Sequence, residues 1–341
     1  MREITTIGLD IAKHVFQVHG INGAGSVVIR RKLRRSEVLG FFEKLEPCLV
    51  GMEACATAHY WARSLVALGH EVKLMPPTYV KPYVKRQKND AADAAAICEA
   101  VTRPTMRFVP VKGKEQQGVL MLHRTRELLI RQRTMLINAL RAHLSEFGIV
   151  MRQGIAGVST LITLVEDDEH DLIPEIARDA LLALVAQLRD AYERISAIDH
   201  RILAWHRANE ASRRLETIPG IGPITASALV ATITDPSLFS SGRQLAAWIG
   251  LVPRQNSSGG KQRLGRISKK GDPYLRRLLV IGAHAVLRFA RRGKAQTTTW
   301  ATGLLARKPY KLAAVALANK MARIVWALLT RNEEFRLQPA S

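Results

Sequence analysis

Short apolar runs typical of strands alternate with amphipathic runs typical of helices through the first hundred residues, and this alternation restricts the fold most strongly. Three strand patterns come first, in the segments TTIGLDI, HVFQVHGI and SVVIRRKL, with the turn signal NGAG between the last two. Helical and strand patterns then alternate through residues 36–77. Three antiparallel strands followed by alternating helices and strands predict an α/β domain with a mixed sheet.

From residue 116 to about residue 215 the pattern becomes helical, and it contains a heptad repeat. Apolar residues recur every seven positions on two neighbouring seams, Leu181, Leu188, Ile195 and Ile202 on one and Leu184, Ala191, Ile198 and Trp205 on the other. Such a repeat predicts a coiled coil or a helical hairpin. One amphipathic helix packed on its own domain is the alternative.

The remaining residues, from about 216 to the end, are mostly helical with one glycine-rich basic loop. In the segment LETIPGIGPITASALVATI, two helical patterns flank Pro-Gly-Ile-Gly, which predicts a helix-hairpin-helix. Gly220 and Gly222 would let backbone amides approach a nucleic-acid phosphate closely. A purely structural turn between two helices is the alternative.

Four carboxylates stand at the ends of predicted elements. Asp10 ends the first strand, Glu53 ends a later strand, and Asp90 and Asp93 share one face at the start of a helix. Hard oxygen ligands of this kind suit Mg²⁺ or Mn²⁺, and a pair of such ions would polarise a phosphodiester. Each carboxylate alone can be a turn, capping or helix-dipole residue. Their joint occurrence beside the basic segment KPYVKRQK favours a metal site.

The net charge of +22, from 51 Lys and Arg against 29 Asp and Glu, favours nucleic acid as the partner, although a ribosomal protein or a binder of anionic membranes would give a similar total. No G-x-x-x-x-G-K-[ST] loop occurs, which argues against ATP. Three scattered cysteines fit a reducing cytosol. We find no signal-peptide pattern and no unbroken apolar run of the ~18 residues that a membrane span needs, so we expect a cytoplasmic protein without a membrane segment.

Six motifs resemble the transposases of the insertion sequence 110 family, particularly its 1111 subgroup. In chain order they are IGLDIAK, MEACAT, KNDAADA, IPGIGPITASALVA, QLAAWIGLVPRQNSSGGKQRLGRISKKGDPYLRRLL and KPYKLAAVALANKMARIVWALL. They span nearly the whole chain. The resemblance implies a RuvC-like domain of the RNase H class at residues 1–112, a helical coiled-coil insert at 113–214, and a mostly helical C-terminal transposase domain at 215–341. The four carboxylates match the D-E-D-D set of that family.

The same resemblance implies a nucleophilic serine that directly precedes a glycine. This position matches Ser258 in SSGG, and the neighbouring Ser257 is the alternative. Attack by a serine hydroxyl would join the DNA strand to the protein and keep the phosphoester bond energy, so strands could be rejoined without ATP. Eight basic residues around this loop are expected to contact backbone phosphates: Arg254, Lys261, Arg263, Arg266, Lys269, Lys270, Arg276 and Arg277.

The partners implied by the resemblance are donor DNA, target DNA and a guide RNA encoded by the element itself. Base pairing would then read the sequence while the protein reads shape and backbone. The basic runs at residues 30–35 and 81–88 would suit such backbones. Recombination of two DNA partners predicts a homodimer or homotetramer.

Two other functions remain open from the sequence. The first is a RuvC-like nuclease or junction resolvase that only hydrolyses DNA, without a serine nucleophile. The second is a non-catalytic protein that binds nucleic acid through the helix-hairpin-helix and the coiled coil.

Overall fold

The computed structural model describes residues 3–85, 89–150, 152, 154, 157–167, 172–291 and 299–336. The chain forms two compact units, Met1–Lys114 and Glu115–Ser341. The first unit combines a sheet with helices and the second is almost entirely helical. A mixed α/β region followed by a mostly helical region is therefore confirmed. The finer domain boundaries at residues 112 and 214 stay predictions.

The first unit is built on one five-stranded sheet. Its strands are β1 (Thr6–Ile11), β2 (Val15–Ile21), β3 (Val27–Arg34), β4 (Leu49–Glu53) and β5 (Glu71–Met75). They lie in the order β3-β2-β1-β4-β5. The pairs β1–β2 and β2–β3 are antiparallel, whereas β1–β4 and β4–β5 are parallel. The predicted mixed sheet with three leading antiparallel strands is thus present.

In the described residues of this unit, four helices cover the sheet: α1 (Val38–Phe42), α2 (Ala58–Ala67), α3 (Pro77–Val80) and α4 (Asp90–Val101). Side chains alternate between the two faces of each strand. Ile7 and Leu9 of β1 share a buried core with Trp61 of α2. The residue between them, Gly8, faces α4 on the opposite side. Asp10 shares the face of Gly8, and this places the first candidate carboxylate on the α4 side of the sheet.

The second unit contains nine described helices and one small hairpin. The helices are α5 (Lys114–Glu146), α6 (Val158–Glu166), α7 (Glu175–Ala208), α8 (Glu210–Glu216), α9 (Pro223–Thr232), α10 (Gly242–Ile249), α11 (Pro273–Arg291), α12 (Thr299–Arg307) and α13 (Tyr310–Arg331). The hairpin consists of β6 (Pro253–Gln255) and β7 (Leu264–Ile267), between α10 and α11.

The heptad repeat lies on α7 and is buried against helices of the same chain. Leu181, Leu188, Ile195 and Ile202 are all buried. The first two belong to one core cluster with Leu140 of α5 and other residues of α5 and α6. The indole N–H of Trp205 donates to Glu115 at the other end of α5, at 2.7 Å. Side chains of α5 and α7 therefore pack against each other within one chain, with α6 between them in sequence, and this packing buries the first part of the seam. A coiled coil stays a prediction.

A buried polar junction links α5, α9 and α11 inside the second unit. The Ser227 hydroxyl donates to the carbonyl oxygen of Pro223 at 2.7 Å, so its oxygen accepts from Nε2 of His123 at 3.1 Å. Nδ1 of His123 then accepts from the Tyr274 hydroxyl at 3.0 Å. Burial, assisted by the Arg126 charge, lowers the pKa of His123 to about 4, and burial raises the pKa of Tyr274 to about 12. Both groups are neutral at pH 7.

Helix α13 adds a feature that the search for unbroken apolar runs did not show. By length and composition, Tyr310–Arg331 is long and apolar enough to cross a membrane, although it contains no unbroken apolar run of that length, and the absence of a membrane segment stays a prediction. Lys320 and Arg323 interrupt the apolar run, and a search for unbroken stretches therefore misses it. Core helices of soluble proteins pass the same test. One side of α13 lies in the core of the second unit through Ala313, Ala314, Leu317, Ala318, Met321, Ala322, Val325 and Leu328.

Candidate functional site

Three of the four predicted carboxylates converge at one end of the sheet. Asp10, Asp90 and Asp93 each offer a carboxylate oxygen, and these oxygens lie within 4.8 Å of one another. Asp10 is the penultimate residue of β1, while Asp90 and Asp93 occupy the first turn of α4. The side chain of Asn89 caps this helix by accepting from the Ala92 amide at 2.8 Å. The cap fixes where α4 begins and therefore where its two aspartates lie.

Glu53 ends β4, directly beside the cluster. Leu9 of β1 pairs with Met52 of β4, so the next residues, Asp10 and Glu53, are neighbours on the same face of two parallel strands. Partial burial raises the pKa of the Cys55 thiol, and the charges of Glu53 and Asp10 raise it further. Among the described residues, the group within 4.8 Å contains the three aspartates and not Glu53. Glu53 is thus adjacent to the cluster, and its role as a ligand stays a prediction.

Two glycines that the sequence analysis did not single out allow this convergence. A Cβ at Gly8 would lie 2.1 Å from the carbonyl oxygen of Ala94, and a Cβ at Gly51 would lie 2.8 Å from Cβ of Val101. Both contacts are with α4. Each glycine precedes a carboxylate by two residues, and therefore shares its face of the sheet. The signal was present in the sequence as a glycine inside each of two buried strand patterns, GLD and GME.

The donor set fits a hard divalent cation. All three clustered ligands are carboxylates, which repel one another when ionised and which Mg²⁺ and Mn²⁺ prefer as ligands. Asp10 and Asp93 are half-buried and Asp90 is exposed, so the cluster is open to solvent and substrate on one side. The donor chemistry fits Mg²⁺ and Mn²⁺ equally.

An open groove of about 850 Å³ lies at the same end of the sheet. His14 precedes β2 and Arg34 ends β3, and both line the groove together with Arg35 and Tyr60. The Arg35 guanidinium lies 5.1 Å from the ring centre of Trp61, which orients its charge. Tyr60 is 49% exposed, so its ring is available for stacking. The basic run at residues 30–35 was expected from the sequence, whereas His14 and Tyr60 were not.

The predicted serine lies at the tip of the β6–β7 hairpin. The amide of Lys261 donates to the carbonyl oxygen of Ser258 at 3.1 Å and closes a tight turn. The two central residues, Gly259 and Gly260, have φ of +57° and +74°. Two consecutive left-handed residues are the requirement of a two-residue hairpin turn, which explains the Gly-Gly pair. Ser258 is exposed at the start of this turn.

Ser257 and Ser258 have different environments. The Ser257 hydroxyl accepts a hydrogen bond from the Arg263 amide at 3.1 Å, across the two arms of the hairpin. In the described part of the chain, no hydrogen bond engages the hydroxyl of Ser258. Ser257 therefore stabilises the hairpin, while the Ser258 hydroxyl is available to an incoming group.

The eight basic residues around the hairpin divide into two groups. Arg276 donates to the carbonyl oxygens of Ile249 at 2.8 Å and Lys270 at 3.0 Å, and so braces the base of the hairpin. Arg277 donates to Glu127 of α5 at 2.8 Å. Arg277 is exposed, as are the other six: Arg254, Lys261, Arg263, Arg266, Lys269 and Lys270. Arg254 also donates to the carbonyl oxygen of Ser268 at 3.4 Å. Arg254, Arg276 and Arg277 thus have intramolecular partners, which were not expected from the sequence.

The two glycines of the predicted helix-hairpin-helix also differ. A Cβ at Gly220 would lie 2.7 Å from the carbonyl oxygen of Gly282, so this glycine permits close packing on α11. Gly222 is the N-cap residue directly before α9, and a Cβ there would meet no described atom within 4 Å. Helix packing explains Gly220 without a phosphate, and Gly222 stays a candidate contact. Of the basic run at 81–88, residues 86–88 lie outside the described residues.

Comparison with known proteins gives a consistent picture. The family model described as "Transposase IS116/IS110/IS902 family" matches residues 212–298, and a DEDD transposase model of the IS110 group, described as "Transposase", matches residues 7–149. The "Probable family 20 transposase" of Pseudomonas aeruginosa is 51% identical and the match covers 98% of this chain and 99% of that protein.

Two transposases named after their insertion sequences are also similar. The transposase for IS1111A of Coxiella burnetii is 42% identical, and the match covers 98% of this chain and 92% of that protein. The transposase for IS1328 of Yersinia enterocolitica is 41% identical, with 98% and 99% covered. The first family model contains the serine hairpin and the second contains the carboxylate cluster.

Proposed function

Because the chain belongs to the IS110 family of insertion-sequence transposases, we propose that it cuts and rejoins DNA through a covalent bond to Ser258. The observation that carries this proposal is the hairpin tip, where Ser257 is engaged in the fold and Ser258 is exposed on a Gly-Gly turn. The family assignment makes the DNA phosphodiester the substrate.

The first unit supports a RuvC-like domain of the RNase H class. Three antiparallel strands are followed by two parallel ones, with Asp10 next to the end of β1 and Glu53 at the end of β4. Asp10, Asp90 and Asp93 would hold a divalent metal ion, with Glu53 as the fourth residue of the set. A bound Mg²⁺ or Mn²⁺ would supply positive charge at the scissile phosphate. The Asn89 cap and the two glycines keep the carboxylates in place for that task.

The reaction conserves the phosphoester bond. The Ser258 oxygen bonds to phosphorus, the bond from phosphorus to the departing DNA oxygen breaks, and that oxygen takes a proton to become a free hydroxyl end. The proton of the serine passes to water or to a carboxylate. In the reverse direction a strand hydroxyl attacks the phosphoserine and releases Ser258, so rejoining needs no ATP.

Nucleic acid would be bound by exposed cations in both units. The six exposed residues of the hairpin region fit backbone phosphates, and the groove at His14, Arg35 and Tyr60 fits a strand at the same end of the sheet as the carboxylates. Donor and target DNA, an element-encoded guide RNA and a homodimer or homotetramer complete this proposal. A cytoplasmic location without membrane association belongs to it as well.

A cleavage assay with matched variants tests the serine. The full-length protein, purified with any RNA it retains, is incubated with Mg²⁺ and a plasmid that carries the element and its flanking DNA. Ser258→Ala is expected to abolish both cleavage and the protein–DNA adduct on a denaturing gel. Ser257→Ala, the matched control, is expected to retain the adduct.

Two outcomes of this assay would contradict the proposal, and each would indicate a different function. Cleavage that survives Ser258→Ala and fails in Asp10→Asn indicates a hydrolytic nuclease or junction resolvase. Binding of DNA or RNA that is indifferent to both substitutions, with no cleavage by the unaltered protein, indicates a non-catalytic binding protein.

A further inference from the structure

We infer that Gln17 supplies a neutral oxygen to the cation site formed by Asp10, Asp90 and Asp93. This inference rests on the metal centre of the proposed function and adds a residue outside the D-E-D-D set. It follows from three observations: the register of β1 and β2, the burial of Gln17, and the state of its amide oxygen.

The register places Gln17 directly beside Asp10. The two residues are cross-strand partners in the antiparallel pair β1–β2. Directly paired residues project from the same face of a sheet, with Cβ atoms about 5 Å apart. That face is the one on which Gly8 contacts α4, the helix that carries Asp90 and Asp93. The Gln17 side chain therefore emerges beside the carboxylate cluster.

The amide oxygen of Gln17 is buried without a hydrogen-bond partner. Gln17 is 6% exposed, and its Oε1 atom has no hydrogen-bond partner in the described part of the chain. Buried acceptors without partners are rare in folded proteins because the lost hydration is not replaced. An unsatisfied acceptor at this position indicates that its partner belongs to a bound species.

The neighbouring groups restrict what that species can be. Carboxylate oxygens of Asp10, Asp90 and Asp93 are acceptors when ionised, so they cannot donate to Gln17. The other cross-strand neighbour, Lys32 of β3, is exposed, and in the described residues it makes no hydrogen bond to Gln17. A neutral oxygen placed among anionic oxygens fits a hard divalent cation, either as a ligand or as the acceptor for a cation-bound water.

An alternative role would be to orient Asp10 through the amide NH₂ group. In that role Gln17 would stabilise the metal-free protein, whereas a buried Oε1 atom without a hydrogen-bond partner would destabilise it. Methionine has nearly the same length as glutamine and lacks the acceptor, so Gln17→Met separates the two. Removing a buried acceptor that has no partner is neutral or stabilising.

The experiment measures thermal unfolding in EDTA and Mn²⁺ binding by titration calorimetry on the full-length protein. Gln17→Met is expected to unfold at the same temperature as the wild type or higher in EDTA, and to bind Mn²⁺ about tenfold more weakly. Gln17→Glu restores an oxygen and is expected to recover Mn²⁺ affinity relative to Gln17→Met. Gln244→Met is the matched control, because Oε1 of Gln244 accepts from the Ser240 amide in the second unit. It is expected to unfold at a lower temperature with unchanged Mn²⁺ affinity.

Wild-type Mn²⁺ affinity in Gln17→Met would overturn the inference, as would a clearly lower unfolding temperature of this variant in EDTA. Failure of Gln17→Glu to recover affinity would also overturn it. Asp10→Asn separates this inference from the proposed metal centre. If Asp10→Asn loses Mn²⁺ binding while Gln17→Met keeps it, only the role of Gln17 fails. If Asp10→Asn binds Mn²⁺ like the wild type, the metal centre itself fails and the role of Gln17 with it.

Discussion

The carboxylate cluster and the serine hairpin are held in place by opposite means. Around Asp10, the glycines at 8 and 51 are crowded by α4, so packing of a helix on a sheet positions the carboxylates. At the hairpin tip, a Cβ on Gly259 or Gly260 would meet no described atom within 4 Å, so backbone conformation alone sets the turn. Substitutions in the first region should act through packing and those in the second through backbone strain.

This difference has a functional meaning. A tightly packed site keeps its geometry before any ligand binds, which suits groups that must hold a cation against mutual repulsion. A two-stranded exposed hairpin is marginally stable alone, which suits a segment whose final geometry is completed by nucleic acid. The acidic site is thus prepared by folding, whereas the proposed function would need the serine loop to adapt to a bound strand.

The largest expected effect is on packing at the carboxylate site. Gly8→Ala forces a methyl group against the Ala94 carbonyl oxygen, which cannot rotate away, so α4 must shift. We expect a loss of about 3 kcal/mol in the free energy of unfolding, measured with urea, together with weaker Mn²⁺ binding. Gly40→Ala in α1, where a Cβ meets no described atom within 4 Å, is the control and should be neutral or stabilising. Wild-type stability of Gly8→Ala would show that packing does not position the aspartates.

The next effect is an acid sensitivity of the second unit. His123 is buried and neutral, and its pKa is lowered from 6.5 to about 4. Between these pH values the unfolded chain binds the proton more readily than the folded chain does. The contribution of neutral His123 to the free energy of unfolding is therefore full above pH 6.5 and decreases as the pH falls towards 4. Between pH 7 and pH 5 the decrease is about 2 kcal/mol. His123→Gln should reduce this difference in urea unfolding, and an unchanged pH dependence would contradict the buried neutral histidine.

Backbone strain at the hairpin tip should have a smaller and more local effect. Gly260→Ala places an L side chain at φ of +74°, which costs about 1 kcal/mol in the turn. Because the hairpin is exposed, we expect an unchanged unfolding temperature and a recombination rate lowered about fivefold. Gly265→Ala in β7, where a Cβ makes only ordinary contact with Arg254, should leave the rate unchanged. Equal recombination rates for both variants would show that the turn geometry at Gly260 does not affect the reaction.

The smallest expected effects distinguish Lys261 from Arg276, for which the sequence predicted the same role. Lys261→Ala should weaken DNA binding a few-fold and reduce the slope of log affinity against log salt by about 1 without changing stability. Arg276→Ala should instead lower the unfolding temperature, since it removes the hydrogen bonds to Ile249 and Lys270. Measurement of both properties for both variants tests whether Arg276 is structural. If Arg276→Ala lost DNA affinity without losing stability, Arg276 would be a phosphate contact and not a structural residue.

Local patterns predicted much of the fold. The strands and the first helices follow from alternation and turn signals, and the convergence of Asp10 with Asp90 and Asp93 follows from strand and helix ends. The sequence could not distinguish Ser257 from Ser258 by chemistry, because the difference is a hydrogen bond across a hairpin. The sequence also could not show that Gln17 lies beside Asp10, because the register of β1 and β2 determines this pairing.

Close helix packing is the other feature that the sequence could not show. Gly220 was expected to approach a phosphate, and its neighbour is the backbone of α11. Such contacts join segments about sixty residues apart, and no local motif reports them. The apolar character of α13 was underestimated for a related reason, because its charged residues interrupt the pattern while its small residues pack in the core.

The most direct measurement is mass spectrometry of the protein after incubation with plasmid DNA that carries the element, Mg²⁺ and the retained RNA, followed by nuclease and protease digestion. The account predicts a nucleotide attached through a phosphodiester to Ser258, present in Ser257→Ala and absent in Ser258→Ala and Asp10→Asn. Cut DNA with free phosphate and hydroxyl ends, and no nucleotide on any serine of the chain, would contradict it.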